Sequence, residues 1–152
     1  VDLVLDAGPC QVGLESTVVD VTGAAPTLLR PGGIPVEAIE EALRRPLARA
    51  GSNDAAPASP GMLTQHYAPQ ARVRLNAAEK RPEELFLGFG GTPGATLDLS
   101  PSGDLVEAAA NLFAHLHKLD EAGTDVIAVA PIPETGLGLA INDRLRRAAA
   151  GR

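Results

Sequence analysis

The chain has 152 residues, with 13 Lys plus Arg against 19 Asp plus Glu for a formal charge of −6, 45% hydrophobic residues, 3% aromatics and no Trp. This length fits one ordinary domain or two small adjoining ones and excludes a large multidomain enzyme. The net negative charge disfavours strong binding to a phosphate backbone, and the scarcity of aromatic rings disfavours a base-stacking surface.

The apolar content is mostly Ala, Val, Leu and Ile, which suits helices packed on a sheet. No apolar run approaches the length of a membrane-spanning helix, and no basic segment followed by an apolar one opens the chain as in a signal peptide. The single Cys, Cys10, forbids an internal disulfide and points to the cytoplasm; with no evident base beside it, it reads as a small buried hydrophobe rather than a nucleophile. Residue 1 is Val and the only Met is Met62, so the chain is expected to be cut from a longer one.

In chain order, residues 2 to 6 predict a strand ending at Ala7–Gly8–Pro9, and the β-branched residues of Thr17 to Val21 predict a second, closed by Gly23. Thr27 to Arg30 predicts a short third strand. Pro31–Gly32–Gly33 then turns the chain into a helix from about Pro35, with Val36, Ile39 and Leu43 on its apolar stripe and Glu40–Arg44 and Glu41–Arg45 pairs on its wet side. Residues 51 to 60 contain only Gly, Ser, Asn, Asp, Ala and Pro, the composition of a linker. Bulky and titratable groups return at Met62, His66 and Tyr67 without any period, as in a loop with a task of its own.

Beyond the linker, strands are predicted at Arg72 to Leu75, Leu85 to Gly88, Thr96 to Leu99 and Val126 to Ala130. A long helix runs from about Gly103 to Asp120, capped by Ser100 or Ser102, carrying Leu105, Ala109, Leu112, Phe113, Leu116 and Leu119 on one face, and stopped at Gly123. A last helix starts near Leu137 with Ile141, Leu145 and Ala148 on its stripe. This alternation predicts a small α/β unit with a parallel-type sheet.

Most candidate motifs have plain readings. Gly88 to Gly94 lacks phosphate-loop spacing and a Walker Lys, so it reads as a turn. Thr135–Gly136–Leu137–Gly138 could present N–H groups to an anion, but reads as a Gly-rich helix entry. Arg144, Arg146, Arg147 and Arg152 near the chain end read as cations satisfying a helix dipole. His115 and His117 lie on different helix faces and make a poor metal pair. Polar groups gather at three places: Glu15–Ser16–Thr17, Leu29–Arg30–Pro31–Gly32 and His66–Tyr67. An Arg in rigid backbone suits bidentate contact with phosphate or carboxylate, and neighbouring hydroxyls can orient a small polar substrate.

These residues resemble a known family. Asp6–Ala7–Gly8–Pro9–Cys10, the run Gly13–Leu14–Glu15–Ser16–Thr17–Val18–Val19–Asp20 and Leu29–Arg30–Pro31–Gly32 are similar to the Sua5/YrdC/YwlC family of L-threonylcarbamoyladenylate synthases, in the long Sua5-type form. So are Ser59–Pro60–Gly61–Met62 with His66–Tyr67–Ala68–Pro69. Within the C-terminal part, Ala108–Ala109, Leu112–Phe113, Leu116, Leu119–Asp120, Gly136–Leu137–Gly138, Ala140–Ile141 and Asp143–Arg144–Leu145 continue the likeness over nearly the whole chain.

The resemblance implies a nucleotidyltransferase that joins L-threonine, bicarbonate and ATP, with Mg2+ accompanying the nucleotide, into threonylcarbamoyl-AMP and pyrophosphate for threonylcarbamoylation of adenosine in tRNA. It implies no protein-bound metal and no organic cofactor, and it passes the product to the tRNA-modifying machinery. It assigns Ser16 to threonine, Arg30 to ATP and Tyr67 to a lid over the nucleotide, with Thr17 and His66 beside them. It divides the chain into the end of a YrdC-like catalytic domain (1–50), a linker or lid (51–71) and a small Rossmann-like Sua5 domain (72–152). The family's Lys-x-Arg and Ser-x-Asn motifs do not occur here, so the chain alone is expected to be inactive, and the family's usual Arg after the helix Leu is replaced by His117. The alternative from a different class is a non-catalytic α/β regulatory or interaction module.

Overall fold

The computed structural model describes residues 2–8, 10–50 and 68–150. Two sheets organise them. The first has three strands in the order β1 (Val18–Asp20), β2 (Thr27–Arg30), β3 (Ala48–Arg49), with β1 antiparallel and β3 parallel to β2. Helix α1 (Val36–Leu43) connects β2 to β3. The second sheet is wholly parallel, in the order β4 (Arg72–Arg74), β7 (Val126–Val129), β5 (Leu85–Gly88), β6 (Leu97–Asp98), with helices α2 (Leu105–Glu121) and α3 (Leu137–Ala149). This is the α/β unit with a parallel sheet that the strand–helix alternation predicts, and its arrangement is Rossmann-like, as the resemblance implies.

Period-2 alternation in the parallel strands sorts their side chains onto two faces. Leu87, Ile127 and Val129 pack against Leu112, Leu116 and Leu119 of α2 and Ile141 and Leu145 of α3, forming the main core. Phe86 and Ala128 point to the other face, where Ala77 and Ala130 complete a smaller cluster. The 75–84 loop is fastened by a hydrogen bond from the Ala77 N–H to the Val129 carbonyl at 2.8 Å. At its end Arg74 donates from Nε to Glu84 Oε1 at 3.0 Å and from Nη2 to Oε2, and the Arg81 N–H adds a third bond to that carboxylate.

Several local expectations are corrected. Residues 2–7 form no strand and are exposed, because β-branched and Leu residues make a strand only beside a ladder partner and none of the described strands lies there. Cys10 is exposed rather than buried, lying in the irregular segment that precedes β1. On α1 the wet-side pairs do not form. The helix stops at Leu43 with Arg44 in the left-handed region at φ 52°, the Glu40 carboxylate caps the Leu47 N–H at 2.8 Å, and Arg45 donates to the Ala24 carbonyl. Pro35 occupies the N-cap, one residue before the helix.

The cap of α2 is Asp104, whose Oδ1 accepts from the N–H groups of Val106 and Glu107. Ser100 instead buttresses the cap, accepting from the Asp104 N–H and donating to Glu107. A carboxylate one residue before the helix reaches the N2 and N3 amides, which a hydroxyl four residues upstream does not. Gly123, at φ 76°, follows the helix end as expected.

The Gly88 to Gly94 segment is a turn, as expected. Asp98 Oδ2 accepts from the N–H groups of Gly91 and Thr92, at 3.1 and 3.0 Å. An internal carboxylate therefore takes up these two N–H groups of the turn.

Candidate functional site

The loop Glu15–Ser16–Thr17 leads into β1, and the loop Pro31–Gly32 follows Arg30 at the end of β2. Since β1 and β2 are antiparallel neighbours, with Val18 opposite Arg30, these two chain turns beyond the strand ends lie side by side at one end of the first sheet. Gly32 makes this approach possible. A Cβ built there would lie 2.2 Å from the Glu15 carbonyl oxygen and 2.4 Å from the Thr17 nitrogen, so only a residue without one fits. The Gly33 N–H donates to the Glu15 carbonyl at 2.9 Å.

Of the five residues assigned to binding, the structure brings three together. Arg30 is buried, at 8% exposure, and donates to the Ser16 carbonyl from Nε and Nη2 at 3.3 and 3.0 Å. Ser16 itself is exposed, so its side chain stands at the surface of a turn whose backbone the guanidinium holds. The Thr17 hydroxyl donates to the Ile34 carbonyl at 2.7 Å and accepts from the Ile34 N–H at 3.1 Å, which assigns it to stapling the two turns. His66 and Tyr67 lie outside the described residues.

Sequence reasoning missed the residues behind this turn. Arg144, read as a cation serving the α3 dipole, is fully buried at 0% exposure. It donates from Nε and Nη2 to Glu15 Oε2 at 3.0 and 2.8 Å, and from Nη1 to the Pro31 carbonyl at 2.9 Å and to Asp143 Oδ2 at 2.8 Å. Arg147 pairs with the same Asp143 from the next turn. A buried guanidinium is stable only with such partners, and two of them are 129 and 113 residues away in sequence. One signal was available: Arg144 falls between Ile141 and Leu145 on the apolar stripe of α3, where a solvated cation does not belong.

Two more contacts join the first sheet's loops to the α2–α3 layer. Gly13 approaches α2 so closely that a Cβ would lie 2.6 Å from the Ala109 carbonyl oxygen. Glu37 of α1 receives the Gly136 N–H at the start of α3. The Gly-rich entry to α3 is thus satisfied by a carboxylate of the protein itself.

Elsewhere, a cavity of about 440 Å³ is lined by Gln70, Arg72, Asp120, Thr124 and Asp125 and shares no residue with the Ser16–Arg30 cluster. There Asp120 accepts the N–H groups of Gln70 and Ala71, at 3.0 and 2.8 Å, fixing the chain as it enters β4. No group of three or more His, Cys, Asp or Glu side chains suited to a metal occurs among the described residues. No helix among them is long and apolar enough to cross a membrane.

Comparison with known proteins identifies what the chain is similar to. The chain is 38% identical to the threonylcarbamoyl-AMP synthase of Pyrococcus abyssi, over all of this chain and 50% of that protein. It is 36% identical to the Bacillus subtilis enzyme of the same name, over 98% of this chain and 49% of that one. The chain thus spans about half the length of the curated relatives it matches. The crystal structure of P. abyssi Sua5 complexed with L-threonine superposes with a TM-score of 0.81 at 33% identity, covering 97% of this chain and 49% of that one. A P. abyssi Sua5 variant in which an adjacent His–Tyr pair is replaced by Ala matches with a TM-score of 0.77 at 32% identity, over 93% of this chain and 46% of that one. The family model described as "Threonylcarbamoyl-AMP synthase, C-terminal domain" matches residues 34–150, and to that family this chain belongs.

Proposed function

We propose that this chain is part of a threonylcarbamoyl-AMP synthase, a nucleotidyltransferase acting on L-threonine, bicarbonate and ATP with Mg2+. In the reaction the threonine amino group adds to the bicarbonate carbon with loss of water. The resulting carbamate oxygen attacks the α-phosphorus, and pyrophosphate leaves. The protein's tasks are to orient threonine against the nucleotide, neutralise phosphate charge and exclude water. The product goes to the machinery that modifies adenosine in tRNA, in the cytoplasm.

Ser16 supports this reading most directly. Its exposed side chain stands on a turn fixed by Arg30, Thr17 and Gly32, which is how a rigid scaffold presents a polar group to a small substrate. Ser16 is assigned to threonine and Arg30 to ATP, with Thr17 holding the turn. The chain's sole Tyr, Tyr67, follows His66, and the pair matches in residue type the His–Tyr pair altered in the P. abyssi variant. That likeness supports a part for His66 and Tyr67 in function, which we read as a lid. Residues 1–50 then complete a catalytic domain, 51–71 form the lid segment and 72–152 the C-terminal domain.

The test is pyrophosphate release by the full-length protein, dependent on threonine, bicarbonate and ATP together. Ser16→Ala should raise the KM for threonine more than that for ATP. Arg30→Lys should weaken ATP use by about 1.5–3 kcal/mol, the value of a lost charge-assisted contact. ATP and threonine together should slow proteolysis within residues 51–66, and Tyr67→Ala should abolish that protection. Pyrophosphate release indifferent to threonine would sink the proposal.

A further inference from the structure

The deepest-buried cation in the described structure belongs to α3, yet its partners belong to the turns that carry Ser16 and Arg30. Arg144 has no exposed surface, and it holds two separate segments at once: the Glu15 carboxylate, one residue before Ser16, and the Pro31 carbonyl, one residue after Arg30. A guanidinium suits this task because it is planar and its donors point in fixed directions. Nε and Nη2 converge on Glu15 while Nη1 faces Pro31. Asp143, itself held by Arg147, fixes the guanidinium from the helix side.

We infer that Arg144 is a positioning residue for threonine binding: through Glu15 it fixes the turn that presents the Ser16 side chain, so that α3 forms the back wall of the substrate site. This rests on the reading of Ser16 as a threonine-binding residue.

The energetics favour positioning over simple adhesion. The Glu15 side chain retains 36% of its exposure whereas Arg144 retains none, so the pair lies on the border between buried helix and surface turn. There a charge-assisted bond ties the partly exposed partner to the buried one. The turn has further ties, from Gly33 to the Glu15 carbonyl and from Arg30 to the Ser16 carbonyl. Both hold backbone atoms, whereas Glu15–Arg144 alone among these ties runs to the α3 layer. A turn freed from α3 keeps its hairpin but samples other orientations, and substrate affinity falls by the fraction of time spent outside the competent one.

The experiment uses the full-length protein and two variants, Arg144→Lys and Glu15→Gln. The first keeps the charge and loses the fork. The second keeps the side-chain size and an acceptor oxygen for the guanidinium, whose charge Asp143 still faces, and circular dichroism with thermal unfolding identifies the folded fraction on which each measurement is made. Calorimetric titration with L-threonine should show the Kd raised at least tenfold in each. Steady-state rates should show the threonine KM rising in parallel while kcat at saturating threonine changes less than threefold, since bound substrate restores the competent turn. Amide exchange at residues 14–17 should accelerate in the free variants and return toward the parent rate with threonine. A purely structural role would lower the folded fraction and kcat and leave the threonine Kd unchanged, and that result overturns the inference. Failure of the unsubstituted protein to bind threonine would overturn the functional reading as well, which distinguishes the two failures.

Discussion

Glu37 on α1 accepts the backbone N–H of Gly136 at 3.2 Å, so that a carboxylate 99 residues upstream sits on the N-terminal end of α3. The four N–H groups at a helix start lack intrahelical partners and carry partial positive charge, and a carboxylate there meets both needs. Glu37→Ala is expected to destabilise the protein by about 0.5–1 kcal/mol, with the loss shrinking at high salt because the contact is exposed. Thermal unfolding of parent and variant at low and high ionic strength measures it.

Removing the Arg144 side chain breaks its bonds to Glu15 Oε2 and to the Pro31 carbonyl. Arg144→Met is expected to cost roughly 1–3 kcal/mol, chiefly for the Pro31 carbonyl left without its donor, since Glu15 is partly solvated and Asp143 keeps Arg147. Arg146→Met, which breaks the exposed Arg146–Glu134 pair, should cost about 0–1 kcal/mol. Urea denaturation followed by circular dichroism separates these outcomes, and equal costs would contradict the assignment of Arg144 to the interior.

Gly138, on the first turn of α3, faces the preceding loop. A Cβ there would lie 1.9 Å from the Pro133 carbonyl oxygen, an overlap with backbone that no rotamer relieves. Gly138→Ala should therefore destabilise by about 3 kcal/mol or more, despite the better helix propensity of Ala. The change in denaturation midpoint reads this directly.

Acid stability should fall in two windows. The hydrogen bond from Arg74, with a smaller contribution from the Arg81 N–H, holds the Glu84 carboxyl down at about 2 against an ordinary 4.5. Its folded value is depressed, so its contribution is fully present above 4.5 and is lost as pH falls toward about 2. His115 is also depressed, chiefly by burial, and its Nδ1 is buried without a partner among the described residues. Below its ordinary value of 6.5 the unfolded chain takes up a proton that the folded one resists, so stability declines there as pH falls. Unfolding free energy measured against pH should show both slopes. Glu84→Gln should remove the lower one and His115→Leu the upper one, the latter at little cost near neutral pH because it deletes an unpaired nitrogen.

Helices α2 and α3 and strands β2, β5 and β7 are legible in the sequence because each buries a face, and burial writes a period of 3.6 or 2 into Leu112, Leu116 and Leu119 or into Leu85 and Leu87. Strand β3 is two exposed residues, Ala48 and Arg49, whose only reason to be extended is the neighbouring β2; no local pattern announces it. Residues 2–6 fail in the opposite sense, since Val and Leu supply the propensity but none of the described strands lies beside them. In the candidate site, Ser16, Thr17 and Arg30 are legible as polar groups at element ends. The Glu15–Arg144 bond is not, because its partners are brought together only when α3 docks on the turns.

Gly32 and Gly13 make their approaches through backbone alone, to the Glu15 and Thr17 main chain and to the Ala109 carbonyl. A seam of this kind offers no side chain whose replacement elsewhere could relieve a clash. In a genetic selection starting from Gly32→Ala, growth should return through reversion to glycine and not through second-site suppressors in the surrounding turns.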